Sequence, residues 1–210
     1  MSRRILKIFI FVLGLVGMGV CSIPVFAEDT PAMMAEGNKA PAGMDDEMMA
    51  KMKEYGTPNE NHKVLEYFIG SWMHTVKWWM SPDAPPEVSS GSTEVKSILG
   101  GRFIEQTAIG TSMGQPFEGR GIIGYDNVKK EYNSIWIDSM ATGMMTATAT
   151  YDAATKTMTE KGTASCPING EIFFRNEIKI VDDNTYTYEM YTNDKSGKGF
   201  KMMEITYKRQ

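Results

Sequence analysis

Cysteine and histidine are scarce in this chain, with two of each in 210 residues. Two cysteines cannot build a disulfide scaffold. Two histidines, His62 and His74, twelve positions apart with no cysteine near, fall short of a zinc or iron–sulfur ligand set. Basic charge is also in deficit, with 22 Lys and Arg against 26 Asp and Glu, a poor basis for binding the phosphates of nucleic acid. There is no Gly-x-Ser-x-Gly elbow and no phosphate-binding glycine loop. Cys166 sits in Ser165-Cys166-Pro167, a turn-like setting with no histidine nearby in sequence. No apolar run reaches the ~20 residues that span a bilayer comfortably.

What is present begins with an address. Arg3, Arg4 and Lys7 precede an uncharged apolar run from Ile8 to Val20, and Val25-Phe26-Ala27 offers a small-residue cleavage site. Residues 1–27 therefore read as a signal peptide. The expectation is an exported protein, periplasmic or secreted, with no membrane span once the signal is removed. A lipid anchor on Cys21 is disfavoured, because Val20 is bulky where such signals carry small residues. Loss of the signal's three basic residues moves the net charge from −4 to −7 and leaves Cys166 as the one cysteine.

Methionine is the compositional outlier, at 18 residues. Six of them, Met33, Met34, Met44, Met48, Met49 and Met52, fall within 28–56, an acidic leader with too little apolar surface to fold alone. Thioethers suit copper(I), so a copper-binding leader is one reading. The other is packing, since Met48 and Met52 at a spacing of four suit a short helix over 45–55 that lies on the domain behind it.

The domain itself spans 57–210. Thr57-Pro58-Asn59-Glu60 has the form of a capping box, and Leu65, Phe68 and Ile69 share one side of a helix predicted over 58–69. From Trp72 the apolar period changes to two. Strands are predicted near 72–80, 92–99, 102–111, 117–125, 131–138, 143–151, 157–164, 171–181, 185–193 and 199–208. The turns between them are too short for crossover helices, so the strands form an antiparallel meander. About ten strands close most readily into a barrel, which removes the edges and leaves an interior cavity.

Alternation suggests what lines that cavity. Glu105 shares a face with Phe103 and Thr107, Arg120 with Glu118, Trp136 and Asp138 with Tyr132 and Ser134, and Asn176 with Phe174 and Ile178. If these faces turn inward, Glu105, Arg120, Trp136, Asp138 and Asn176 are polar or amphipathic groups among apolar walls, and Glu105 can pair with Arg120. The expectation is a ligand-binding rather than catalytic protein, with a small apolar molecule as partner. The alternatives are an envelope interaction or structural protein, with Trp78, Trp79 and Met80 as an apolar patch for a partner, and an enzyme using Glu105 and Asp138 as acid and base. Spacing supports no catalytic assignment.

The ordered set His62-Lys63-Val64-Leu65-Glu66-Tyr67-Phe68-Ile69-Gly70-Ser71-Trp72, Trp78-Trp79-Met80-Ser81-Pro82, Ile98-Leu99-Gly100-Gly101-Arg102-Phe103, Gly124-Tyr125-Asp126-Asn127, Trp136-Ile137-Asp138 and Met203-Glu204-Ile205-Thr206-Tyr207 resembles the bacterial Domain of Unknown Function 1579 family over residues 48–208. The resemblance implies a calycin-like barrel, related in shape to lipocalins, fatty-acid-binding proteins and nitrobindins, with no established activity. It also implies that Gly70-Ser71-Trp72 is the lipocalin Gly-x-Trp, its indole plugging one barrel end against a basic residue, either Arg209 or Lys208. The nitrobindin likeness raises haem. That axial histidine comes late in the barrel, whereas none follows His74 here, so no cofactor is expected.

Overall fold

The computed structural model describes residues 45–167, 170–193 and 197–210. The signal at 1–27, with Cys21, and the leader as far as Met44, with Met33 and Met34, lie outside the described residues.

Helix α1, Asp46–Gly56, starts where Asp45 accepts a hydrogen bond from the Met48 N–H (2.8 Å). Acidic residues in its first turn and Lys53 in its last suit the helix dipole. The expected packing of Met48 and Met52 is not what this helix does. No residue of α1 is buried, and those two side chains are 51% and 57% exposed. The helix is held by its end instead. Asn127 Nδ2 donates to the carbonyls of Glu54, Tyr55 and Thr57, and Arg102 donates to that of Gly56. These satisfy carbonyls that a helix C-terminus leaves open, so no apolar face is required.

Helix α2, Glu60–Glu66, is shorter than predicted and capped two residues later. Asn59, not Thr57, is the N-cap; its side chain accepts from Asn61 N–H, and its own N–H donates to His62 Nδ1 (3.0 Å). Thr57 is already used to close α1, its hydroxyl bonding to Lys53 O (2.6 Å). Buried Leu65 and Phe68 turn into the barrel end.

Ten antiparallel strands follow: β1 Gly70–Trp78, β2 Glu87–Ile98, β3 Phe103–Ser112, β4 Gln115–Asp126, β5 Glu131–Asp138, β6 Met145–Asp152, β7 Thr157–Cys166, β8 Gly170–Asp182, β9 Thr185–Asn193 and β10 Gly199–Arg209. Each pairs with its sequence neighbours, and β1 also pairs with β10, with Trp72 opposite Arg209, which closes the barrel. Turn chemistry sets the register. Between β3 and β4, Met113 and Gly114 both have positive φ (49° and 72°), the two-residue turn whose twist suits a hairpin. Among the described residues no helix is long and apolar enough to cross a membrane. The outer face of the strands carries ion pairs Lys96–Glu94, Arg120–Glu118 and Lys77–Glu204.

Candidate functional site

One end of the barrel is shut. Trp72 is fully buried and its indole N–H donates to Phe68 O (2.8 Å). Tyr186 meets it edge-on at 4.7 Å and stacks in turn on Tyr207 at 4.1 Å. Arg209 lies over the indole, 4.0 Å from its centroid, and donates to the carbonyls of Ile69 and Tyr67 (both 2.8 Å). One guanidinium thus ties the last strand to the segment entering the first. Lys208, the other candidate for this position, bonds Thr185 Oγ1 instead (2.8 Å).

Antiparallel pairing places the opposite mouth at the ends of β1, β3, β5, β7 and β9 and the starts of the other five. On β5 the row Tyr132, Ser134, Trp136 and Asp138 does turn inward, as does Phe174, Asn176 and Ile178 on β8. On β3 and β4 the phase is the reverse of the one expected. Ile104 and Ala108 are buried on the inner face of β3, which leaves Glu105 outside. Gly119 and Gly121 occupy the inner face of β4, and Arg120 points out to pair with Glu118 (3.1 Å). The Glu105–Arg120 pair is not formed. The physical reason is the Trp136 indole, which lies flat on the two glycines. A Cβ on Gly119 would come within 2.2 Å of that ring, so the small residues must face it. Asp138 holds the indole in place, accepting from Trp136 Nε1 and from Met140 N–H (both 2.9 Å).

At mid-height the lumen carries a polar group that the sequence reading passed over. Glu160, on β7, is 6% exposed. Ser134 Oγ donates to its Oε1 (3.0 Å) and Asn176 Nδ2 to its Oε2 (2.8 Å). Asn176 is 2% exposed, and its Oδ1 has no hydrogen-bond partner in the described structure. Across the lumen His74 Nδ1 bonds Thr93 Oγ1 (2.8 Å), and Gln106 bonds the Tyr207 hydroxyl. A signal for Glu160 existed, since its row mates Met158, Gly162 and Ala164 are all apolar or small. A lone carboxylate in such a row is the anomaly.

Gln106, Ser134, Tyr188 and Ile205 remain partly exposed although they sit on the inner wall of a closed barrel, so the surface they expose is internal. Towards the mouth the inward residues Trp78, Trp136, Met145 and Ala164 are likewise only half-buried. Two clefts open elsewhere. One of about 300 Å³ lies on the outer face of β1–β3, where Glu105 lines it with Lys96 and Glu94. The other, about 370 Å³, lies between α2 and the β2–β3 turn at His62, Ile69 and Gly101.

Burial holds the Glu160 carboxyl above its ordinary value of 4.5, opposed by the bonds from Asn176 and Ser134. The unfolded chain therefore releases this proton at lower pH than the folded one. Stability falls as pH rises through that value, until the folded carboxyl also ionises. Glu160→Gln removes the effect. The variant is expected to gain on the wild type in urea denaturation at neutral pH, and to gain little near pH 4, where both states keep the proton. His74 acts in the opposite sense. Burial lowers its pKa, so its contribution is lost as pH falls below the ordinary 6.5.

The sequence profile described as "Protein of unknown function (DUF1579)" matches residues 57–209. The chain belongs to the DUF1579 family. Among solved structures this DUF1579 protein is similar to Rv2717c from M. tuberculosis, with 13% identity and a TM-score of 0.56 over 73% of this chain and 99% of that one. The likeness is one of fold. A de novo designed fluorescence-activating barrel (16% identity, TM-score 0.39, 69% of this chain and 95% of that one) and a redesigned barrel (12%, 0.36, 70% and 95%) are more distant. No match was found among curated proteins. The DUF1579 profile starts at Thr57, so α1 precedes the family region and α2 with the whole barrel falls inside it.

Proposed function

We propose that this protein binds a small, largely apolar molecule inside its barrel, without covalent chemistry, and does so after export from the cytoplasm. The observation that carries the reading is the internal exposed surface of Gln106, Ser134, Tyr188 and Ile205 at mid-height. A closed wall of apolar side chains with a few convergent polar groups is the usual make-up of a small-molecule site. The closed end, sealed by Trp72 and Arg209, leaves the opposite mouth as the entrance. Met145, Met190, Met202 and Met203 cluster on that side, and their flexible thioethers adapt a pocket to its occupant. Trp136 supplies wall, Asp138 orients it, and Asn176 presents a polar contact. Glu105 and Arg120 stand outside this space.

Stoichiometric binding of an apolar fluorescent dye, detected by native mass spectrometry, is the test. Ala147→Trp, which fills the lumen from the inner face of β6, is expected to abolish it while far-UV circular dichroism stays that of the barrel. Equal dye binding by the filled variant would place the dye elsewhere and count against the reading. For export, the protein recovered outside the cytoplasm is expected to begin at Glu28, following the signal-like pattern of residues 1–27.

A further inference from the structure

Among the described residues Glu160 is a buried carboxyl without a cation beside it. Its surroundings are Ser134, Asn176, the Tyr188 phenol and apolar wall, and among the described residues no positive charge contributes to its environment. Buried carboxylates are ordinarily paired or coordinated, because desolvation of a lone charge is costly. Beside it Asn176 Oδ1 is a second anomaly, a buried acceptor with no donor. The two are linked by the bond from Asn176 Nδ2 to Glu160, so they present one continuous edge to the lumen. With the carboxyl ionised, the carboxylate oxygens and Asn176 Oδ1 make this edge predominantly an acceptor, with the second Asn176 N–H and the nearby Tyr188 hydroxyl as its donors. Such an edge is complemented by a group that carries several donors and no acceptor.

We propose that the lumen takes a small lipophilic amine in its protonated form, the ammonium donating to the Glu160 carboxylate and to Asn176 Oδ1 while the apolar body lies toward the mouth. This rests on the lumen being a binding space at all and names the class of molecule that fills it. An ammonium offers three donors, which suits two carboxylate oxygens and one amide oxygen. The other titratable groups on the inner face near this height are His74, Tyr188 and Tyr207. Burial disfavours the charged form of each, and of Glu160 too, so the carboxylate is the form that an arriving ammonium stabilises by pairing with it. Tyr188 on the neighbouring β9 adds an aromatic ring beside the cation's place. Phe174, Met190 and Trp136 line the way out, an apolar wall for the rest of the molecule.

The experiment compares n-octylammonium, n-octanol and octanoate, three probes with one chain length and different head groups. Each is titrated calorimetrically into the wild-type protein at neutral pH. Octylammonium is expected to bind about tenfold or more tightly than octanol, the worth of a charge-assisted bond to a buried carboxylate, and octanoate to bind least. Glu160→Gln is expected to remove the preference for the amine and keep octanol binding, and its unchanged circular dichroism would show that it folds. Asn176→Leu, a second variant without the free acceptor, is expected to weaken octylammonium more than octanol. If octanol or octanoate binds as well as the amine, or Glu160→Gln leaves the preference intact, the amine assignment is overturned and the binding space stands. If none of the three probes binds, the lumen reading itself fails.

Discussion

Replacing Trp72 with alanine is expected to cost the folded barrel about 3–5 kcal/mol, the usual toll for emptying a buried aromatic site. Three losses combine at this residue. The indole is fully buried, so its whole apolar surface is removed from the core. Its N–H bond to Phe68 O disappears, leaving that carbonyl without the bond that ties the end of the helical segment to β1. The Arg209 guanidinium loses the ring it lies on and faces a void, while Tyr186 loses its edge-on partner. The strands around the hole are locked in a closed ladder, so they cannot collapse into it. Urea denaturation followed by circular dichroism measures the loss. Trp72→Phe separates the terms, keeping most of the ring and losing the N–H. A loss below about 1 kcal/mol for the alanine variant would mean that the plug is not a main support of the barrel.

Gly162→Val is expected to destabilise the protein by about 3 kcal/mol, the upper range of overpacking. A Cβ at this position would stand 2.1 Å from Thr146 O, 2.7 Å from Phe174 Cζ and 2.8 Å from Ala147 Cβ. The ring has some freedom to rotate, but the carbonyl belongs to β6, which is hydrogen-bonded on both sides. Relief therefore requires the β6–β7 ladder to spread, which breaks hydrogen bonds within a closed wall. Thermal unfolding monitors this directly. Gly162→Ala is expected to show the same effect at smaller size, and two near-neutral variants would show that this ladder yields easily.

The strand pattern was readable because alternation and turn chemistry are local properties. β5 and β9 have the predicted bounds, and the other strands differ by a few residues at their ends, β2 most of all. The Gly-x-Trp entry with Arg209 was legible because a known arrangement joins the two chain ends. The site was read only in part. Trp136, Asp138 and Asn176 turn inward as the alternation suggested, while Glu105 and Arg120 turn outward. A period of two defines two faces and leaves open which of them is inside. On β4 the choice was made by two glycines that accept the Trp136 ring from a neighbouring strand. Glu160 escaped notice because a single glutamate within a threonine-rich strand reads as solvent-facing until its wall neighbours are known.

By itself, the sequence determined the number and order of the strands, their antiparallel sense, the helical entry and the barrel, all of which follow from periodicity and turn residues close together in the chain. Tertiary structure alone decided the phase of β3 and β4, the end-on attachment of α1 through Asn127 and Arg102, and the meeting of Ser134, Glu160 and Asn176. These depend on which side chains come together across strands far apart in sequence, and barrel closure, not local pattern, sets that. The same closure turns an ordinary glutamate into a buried carboxyl with no cation beside it among the described residues.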